Sequence, residues 1–228
     1  MHTVVSKINE AGGNAYNVTA FSPPYSKTMP DVCERIEKIC RNKVKNYIYA
    51  YYKEPDGILH RYGRKSKEAY EQIKYLEDWV EKLYNSLEDT LLIVTADHGH
   101  LNVQNKMLWN YPAIMECLDR LPSLEPRVLT FFVKEGMEDR FEKEFIKEFG
   151  DKFLLKKKEE VIKEQIFGTG CEHADFRHML GQYTVFAIDD TAIFMTEGPD
   201  NTFKGMHAGL TEDEMVIPLI ICESKCSK

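Results

Sequence analysis

Between Asn46 and Thr95 the chain switches its hydrophobic period twice, and this constrains the fold more than any other feature. Asn46–Tyr52 (NYIYAYY) is rich in aromatics and strand-like. From Ser66 to Leu87 the apolar positions Tyr70, Ile73, Leu76, Val80, Leu83, Tyr84 and Leu87 recur at steps of three and four, the stripe of an amphipathic helix. Thr90–Thr95 (TLLIVT) then runs apolar without alternation, as a strand covered on both faces does. Strand, helix, strand in that order reads as a βαβ unit with parallel strands and a right-handed crossover.

The remaining chain extends the alternation. Before it come Gly12-Gly13, a strand over Ala15–Phe21, a turn at Pro23-Pro24, and a helix starting near Pro30-Asp31 with Ile36 and Ile39 inward. After it come a strand at Arg127–Val133, a helix at Met137–Phe149, a short extended piece at Phe153–Leu155 and a helix at Glu159–Gln165. Strands at Gln182–Ile188 and Thr191–Met195 flank an Asp189-Asp190 turn, and Ile217–Cys222 closes the pattern as a buried strand. There are no repeats, low-complexity stretches or clear linkers, so the pattern favours one α/β layer structure.

Composition narrows the functional classes. With 228 residues and 43% hydrophobic content the chain is long enough to bury a core. A net charge of -7 argues against a binder of nucleic-acid duplexes. The apolar run Val216 to Cys222 is strand-sized, and no run is long enough to span a membrane. Residues 1–20 lack the apolar core of a signal peptide. Six cysteines (Cys33, Cys40, Cys117, Cys171, Cys222 and Cys226) are scattered without a CxxC pair and read as reduced thiols of a cytoplasmic protein. The Cys222/Cys226 pair sits in a Lys-rich tail that suits neither a metal nor a redox site, and His2 reads as a flexible terminal residue.

Three segments carry residues suited to chemistry. In Glu54–Gly63 (EPDGILHRYG), Asp56 and His60 are four apart; on a helix that puts a carboxylate and an imidazole on one face, within reach of one zinc ion. A capped helix with a surface His explains the same spacing. Thr95–His100 (TADHGH) places Asp97 and His98 where the apolar strand ends, the edge at which α/β folds put their sites. There Gly99 permits a tight turn that lets neighbouring side chains converge. In Lys204–Ile220 (KGMHAGLTEDEMVIPLI), His207 lies between glycines, ahead of a short acidic helix and a buried strand. The Cys171, His173 and His178 set in GCEHADFRH matches no familiar zinc spacing; its Asp175 and Arg177 fit a substrate-facing or sheet-edge loop. Lys156, Lys157 and Lys158 read as a solvated face.

Taken in order, PDxxxHxxG, TADHG, and a glycine-flanked His before EM-x-x-PL-I resemble the alkaline phosphatase superfamily, and within it the type I phosphodiesterase/nucleotide pyrophosphatase family. The resemblance runs from about residue 46 to 222. It implies an α/β, alkaline-phosphatase-like layered sheet with helices on both faces. It also implies a metal-dependent hydrolase of phosphodiester or pyrophosphate bonds in small phosphorylated, nucleotide-type substrates. Two zinc ions are implied, with manganese as the alternative ion. Asp56, His60 and His207 would hold the first ion, Asp97 and His98 part of the second, and His100 would act behind the ligands or toward substrate.

The family places a further Asp ligand and a Thr or Ser nucleophile before its PDxxxH motif. Only Asp31 occurs ahead of Asp56, and it reads as a helix cap; Thr19, Ser22, Ser26 and Thr28 follow no strand ending in Asp. The expectation is a C-terminal piece lacking its nucleophile, with one well-formed metal site. Residues 1–45 would be a remnant of the preceding region and 46–228 the C-terminal part of the catalytic domain. Missing strands would leave a sheet edge open to self-association. A phosphomutase or sulfatase of the same superfamily, or a non-catalytic metal-binding domain, are the alternative readings.

Overall fold

The structure, a computed structural model, describes residues 3–195 and 203–224. His2 and Cys226 therefore lie outside the described residues. The chain begins with α1 (Val4–Glu10), β1 (Asn14–Val18), α2 (Met29–Cys40), β2 (Asn46–Ala50), α3 (Asp56–Tyr62), α4 (Lys67–Ser86) and β3 (Leu91–Thr95). There follow β4 (Leu101–Asn102), β5 (Gln104–Met107), α5 (Pro112–Met115), β6 (Leu118–Glu125), β7 (Val128–Val133), α6 (Glu138–Phe149), β8 (Phe153–Lys157), α7 (Lys158–Lys163) and α8 (Phe176–Met179). The last elements are β9 (Tyr183–Ala187), β10 (Thr191–Phe194), β11 (Gly205–Met206), α9 (Glu212–Met215) and β12 (Leu219–Glu223). The α/β class holds, but the described strands divide among five hydrogen-bonded sheets and the chain forms two compact units. No described helix is long and apolar enough to cross a membrane.

The first unit comprises Met1–Ile58, Ser66–Ala96 and Pro218–Lys228. Its βαβ unit is β1–α2–β2, with β1 and β2 paired in parallel from Asn14↔Asn46 to Val18↔Ala50. That corrects the expected β2–α4–β3 pairing: β3 instead pairs antiparallel with β12, Ile93 opposite Ile221. Asp31 does cap α2, in a reciprocal box with Thr28 that also lowers the Asp31 pKa. Val18, Met29, Val32, Cys33, Ile36, Ile39, Leu83 and Leu87 form the core, with Leu76, Trp79, Val80 and Leu92 packed against it. Two burial expectations fail. Tyr70 and Ile73 are exposed, because the early turns of α4 bury Ala69 instead and the core cluster meets the helix from Leu76 onward. The β3–β12 pair offers Leu92 to the core, while Leu91, Ile93, Leu219 and Ile221 face outward at 61%, 54%, 67% and 59% exposure. Thr90–Thr95 and Ile217–Cys222 are thus not covered on both faces.

The second unit comprises Leu59–Lys65 and Asp97–Ile217. An antiparallel sheet runs β6-β7-β9-β8, with β9 buried along its whole length. Phe141, Phe145 and Phe149, each four residues apart on α6, meet Phe131, Phe153 and Tyr183 in an aromatic core. The Asp189-Asp190 turn separates strands of different sheets. After it β10 leaves to pair in parallel with β5, Thr191↔Gln104 through Phe194↔Met107. The ribbon of β4 and β11 is antiparallel, with Gly205↔Asn102 and Met206↔Leu101. Short as it is, this ribbon positions the candidate site.

Candidate functional site

Asp56 opens α3 and His60 follows one turn later on the same helix. The helix starts in the first unit and ends in the second. Within the second unit its final turn is tied to the ribbon. The Lys204 N–H donates to the His60 carbonyl at 2.8 Å, and the Arg64 N–H donates to Asn102 Oδ1 at 2.9 Å. Gly63 adopts φ +83°, and a Cβ there would stand 2.7 Å from Asn102 Oδ1, so glycine serves both the turn and the close approach. His60 Nδ1 lies 2.8 Å from the Gly205 carbonyl. A carbonyl only accepts, so Nδ1 carries a proton and Nε2 is the ring nitrogen left to meet a metal.

His98 is set in the same way. Its Nδ1 donates to the Gly99 carbonyl at 2.9 Å, and its Nε2 lies 3.6 Å from Asp97 Oδ1. Gly99 is needed for proximity: a Cβ would come within 2.0 Å of the Asp213 carbonyl oxygen, and the Gly99 N–H donates to the Glu214 carbonyl at 2.8 Å. Its φ is not positive, so close approach to α9 replaces the expected tight-turn role.

His207 follows β11, and Ala208 after it holds φ +86°, a left-handed conformation that costs a non-glycine residue on the order of 1 kcal/mol. Such a conformation persists only where its surroundings impose it. Here the next residue is gripped: the Gly209 N–H donates to Glu214 Oε1 at 2.8 Å. Glu214 is in turn held by Arg127, whose Nε and Nη2 reach its two carboxylate oxygens at 2.5 and 2.7 Å. The Thr211 hydroxyl adds a bond of 2.6 Å. The other Arg127 donors meet the Thr191 and Asp189 carbonyls, both at 2.7 Å. Burial pushes the Glu214 carboxyl up, but Arg127, Thr211 and the Gly209 N–H together hold it below the ordinary glutamate value. At the rim Asp213 pairs with Arg64 at 2.6 Å, which lowers the Asp213 pKa.

These ties gather four imidazoles in the second unit. His98 stacks on His207 with ring centres 3.7 Å apart. His60 lies 5.2 Å from His207 and 4.8 Å from His100. Ring nitrogens of His98 and His207 come within 4.8 Å of each other, as do those of His60 and His100. Imidazole nitrogens whose ring partners donate to backbone carbonyls, together with carboxylates, form a donor set suited to zinc. The site residues therefore fit the implied metal.

Asp97 is mostly exposed and stands beside His98. Cys171, His173 and His178 do not join a metal-type group among the described residues; His173 Nδ1 instead accepts from the Asp175 N–H at 3.2 Å. Arg177 is engaged by Glu172. The sequence reasoning missed Arg127 and the buried role of Glu214. The only signal was one Glu of the acidic run Glu212-Asp213-Glu214 ahead of an apolar strand, with nothing to connect it to an arginine 87 positions away.

The structure resembles three solved ones: murine ectonucleotide pyrophosphatase/phosphodiesterase 5, its inactive variant in complex with AMP, and the human protein of the same name. Identities are 17%, 16% and 17%, and TM-scores 0.67, 0.66 and 0.67. Each comparison covers 98% of this chain and 63% of the other, so the chain spans less than two thirds of their length. At such identities the likeness shows a shared fold. No curated protein matches the chain by sequence. The family model described as type I phosphodiesterase / nucleotide pyrophosphatase matches residues 14–208, and the chain belongs to that family.

Proposed function

We propose that this chain supplies the metal-binding part of a phosphodiesterase or pyrophosphatase centre acting on small nucleotide-type phosphates, with the nucleophile contributed by polypeptide outside residues 1–228. The observation that carries the reading is the imidazole cluster: His60, His98 and His207 come from three separated motifs and are brought together in one unit. Asp56, His60 and His207 are assigned to one ion, and Asp97 and His98 to part of a second. Zinc is the expected ion and manganese the alternative. When bound, such ions supply Lewis-acid stabilisation to phosphoryl oxygens.

The chain's own residues perform the positioning. Gly205 and Gly99 fix the tautomers of His60 and His98 through their carbonyls. The Arg127–Glu214 pair holds the loop that presents His207. Among the described residues no hydroxyl stands out as the nucleophile. Thr19, at the end of β1, is committed to the Phe21 N–H at 3.1 Å and to Ser22 Oγ at 3.3 Å.

The test is zinc content of the purified chain and its His207→Ala variant, followed by turnover of bis-p-nitrophenyl phosphate with added zinc or manganese. Metal uptake that depends on His207, with little or no turnover, is expected; loss of a catalytic nucleophile costs on the order of 10⁶ in rate in an unrelated hydrolase. Robust turnover abolished by both Asp56→Ala and His207→Ala would place the nucleophile within this chain. Metal content unaffected by His207→Ala would remove the basis of the reading.

A further inference from the structure

We propose that His100 is itself a metal ligand, joining His60 and His207 on one ion and raising the imidazole count there from two to three. The inference rests on the metal reading above and extends it to a residue that the family resemblance placed behind the ligands.

Strand register comes first. Asn102 faces Gly205 and Leu101 faces Met206, so the next step of the antiparallel ribbon sets His100 opposite His207. The ribbon ends in two facing imidazoles, with ring centres 5.6 Å apart. The third corner is His60, 4.8 Å from His100 and 5.2 Å from His207. Three imidazoles bound tetrahedrally to one zinc through nitrogens at about 2 Å have ring centres roughly 5 Å apart. The three observed separations bracket that value.

Local chemistry agrees with the spacing. The Gly205 carbonyl holds the Nδ1 proton of His60, so Nε2 is the donor atom of that ring. A ring nitrogen of His100 lies within 4.8 Å of a His60 nitrogen. Rotation about histidine χ2, a broad torsion, acts toward the ~3.3 Å separating two nitrogens on a tetrahedral zinc, and the His207 ring, whose nitrogen lies within 4.8 Å of a His98 nitrogen, would have to turn toward the same ion. Gly205 also makes the room. A Cβ there would stand 2.9 Å from Nδ1 and Cε1 of His100 and 2.7 Å from the Leu59 carbonyl oxygen. His100 is the most buried ring of the four, at 7% exposure, so it faces the cluster rather than solvent.

The test uses the whole chain labelled with ¹⁵N-histidine. Long-range ¹H–¹⁵N spectra are recorded with and without one equivalent of zinc, and His100→Gln assigns the His100 signals. A metal-bound shift of a His100 ring nitrogen, alongside those of His60 and His207, is expected. In the folded His100→Gln chain the zinc dissociation constant should rise by more than about 100-fold, beyond the 10–100-fold typical of a partner one step from the metal. His100 nitrogens that stay put while those of His60 and His207 shift would overturn the proposal and leave the metal reading intact. A wild-type chain that takes up no zinc overturns both. Should His100→Gln fail to fold, the wild-type spectra still decide, with the other six histidines assigned from His2→Gln, His60→Gln, His98→Gln, His173→Gln, His178→Gln and His207→Gln, and His100 by elimination.

Discussion

Breaking the Arg127–Glu214 pair should loosen the second unit, whose His207 loop it holds. Arg127 is fully buried and Glu214 is 3% exposed, and every charged oxygen and most guanidinium donors are engaged. Removing one partner from a buried, hydrogen-bonded ion pair costs about 3–5 kcal/mol, most of it the penalty of leaving the other charge unmatched. The structure ranks the variants within that range. Arg127→Met leaves the carboxylate with the Gly209 N–H and the Thr211 hydroxyl, so it belongs at the lower end. Glu214→Ala leaves the guanidinium with only the Thr191 and Asp189 carbonyls and removes the grip on Gly209, so it belongs at the upper end.

Unfolding in urea reads this out. In a Trp79→Phe background the remaining Trp109 lies in the second unit and reports on it alone. The pH dependence supplies an independent arm. The Glu214 pKa is lowered on folding, so its contribution is complete above the ordinary value near 4.5 and is lost as pH falls through the lower folded value. Glu214→Gln should therefore flatten the acid limb of the stability curve. Losses under about 1 kcal/mol for both Arg127→Met and Glu214→Ala, the range of an exposed pair, would refute the reasoning.

Gly99→Ala should cost about 1–3 kcal/mol by thermal melting, since its Cβ would meet the Asp213 backbone carbonyl rather than a yielding side chain; an unchanged melt contradicts that packing. The Cys33 thiol is pushed up to about 11 by burial and the nearby Glu37, whereas Cys171 is exposed, so mass spectrometry of the native chain after brief iodoacetamide treatment should find Cys171 modified and Cys33 intact. Equal labelling of the two would show that the first unit opens readily. The outward face of Leu91, Ile93, Leu219 and Ile221 should drive self-association, and the double variant Ile93→Lys, Ile221→Lys should sediment as a smaller species than the parent; a monomeric parent removes the argument.

Features carried by local pattern were legible in the sequence. The stripe of α4, the cap of α2 and the phenylalanine spacing of α6 depend on residues three or four apart, and each element formed where its pattern lay. Pairing was less legible. Both β2 and β3 read as strands, yet nothing in NYIYAYY or TLLIVT states that the first joins β1 and the second joins β12. The strand β6 was invisible because LDRLPSLE contains a proline and three charges. It is tolerated there because β6 is an edge strand and Pro122 falls inside the register shift between Arg120 and Ser123, where it has no register partner.

The site divides along the same line. Asp56 and His60, or Asp97 and His98, are recognisable because their spacing already implies a shared face or a shared turn. The position of His207 depends on a ribbon two residues long, too short to leave a periodic signal. Its register is set by glycine contacts: Gly205 against His100 and Leu59, and Gly209 between Arg127, Glu214 and the Ala187 carbonyl. In such a ribbon a shift by one residue would turn His207 to the opposite face, away from His100. The buried ion pair, the strained Ala208 and the glycines around it thus act on one quantity, the register that brings His100 and His207 face to face.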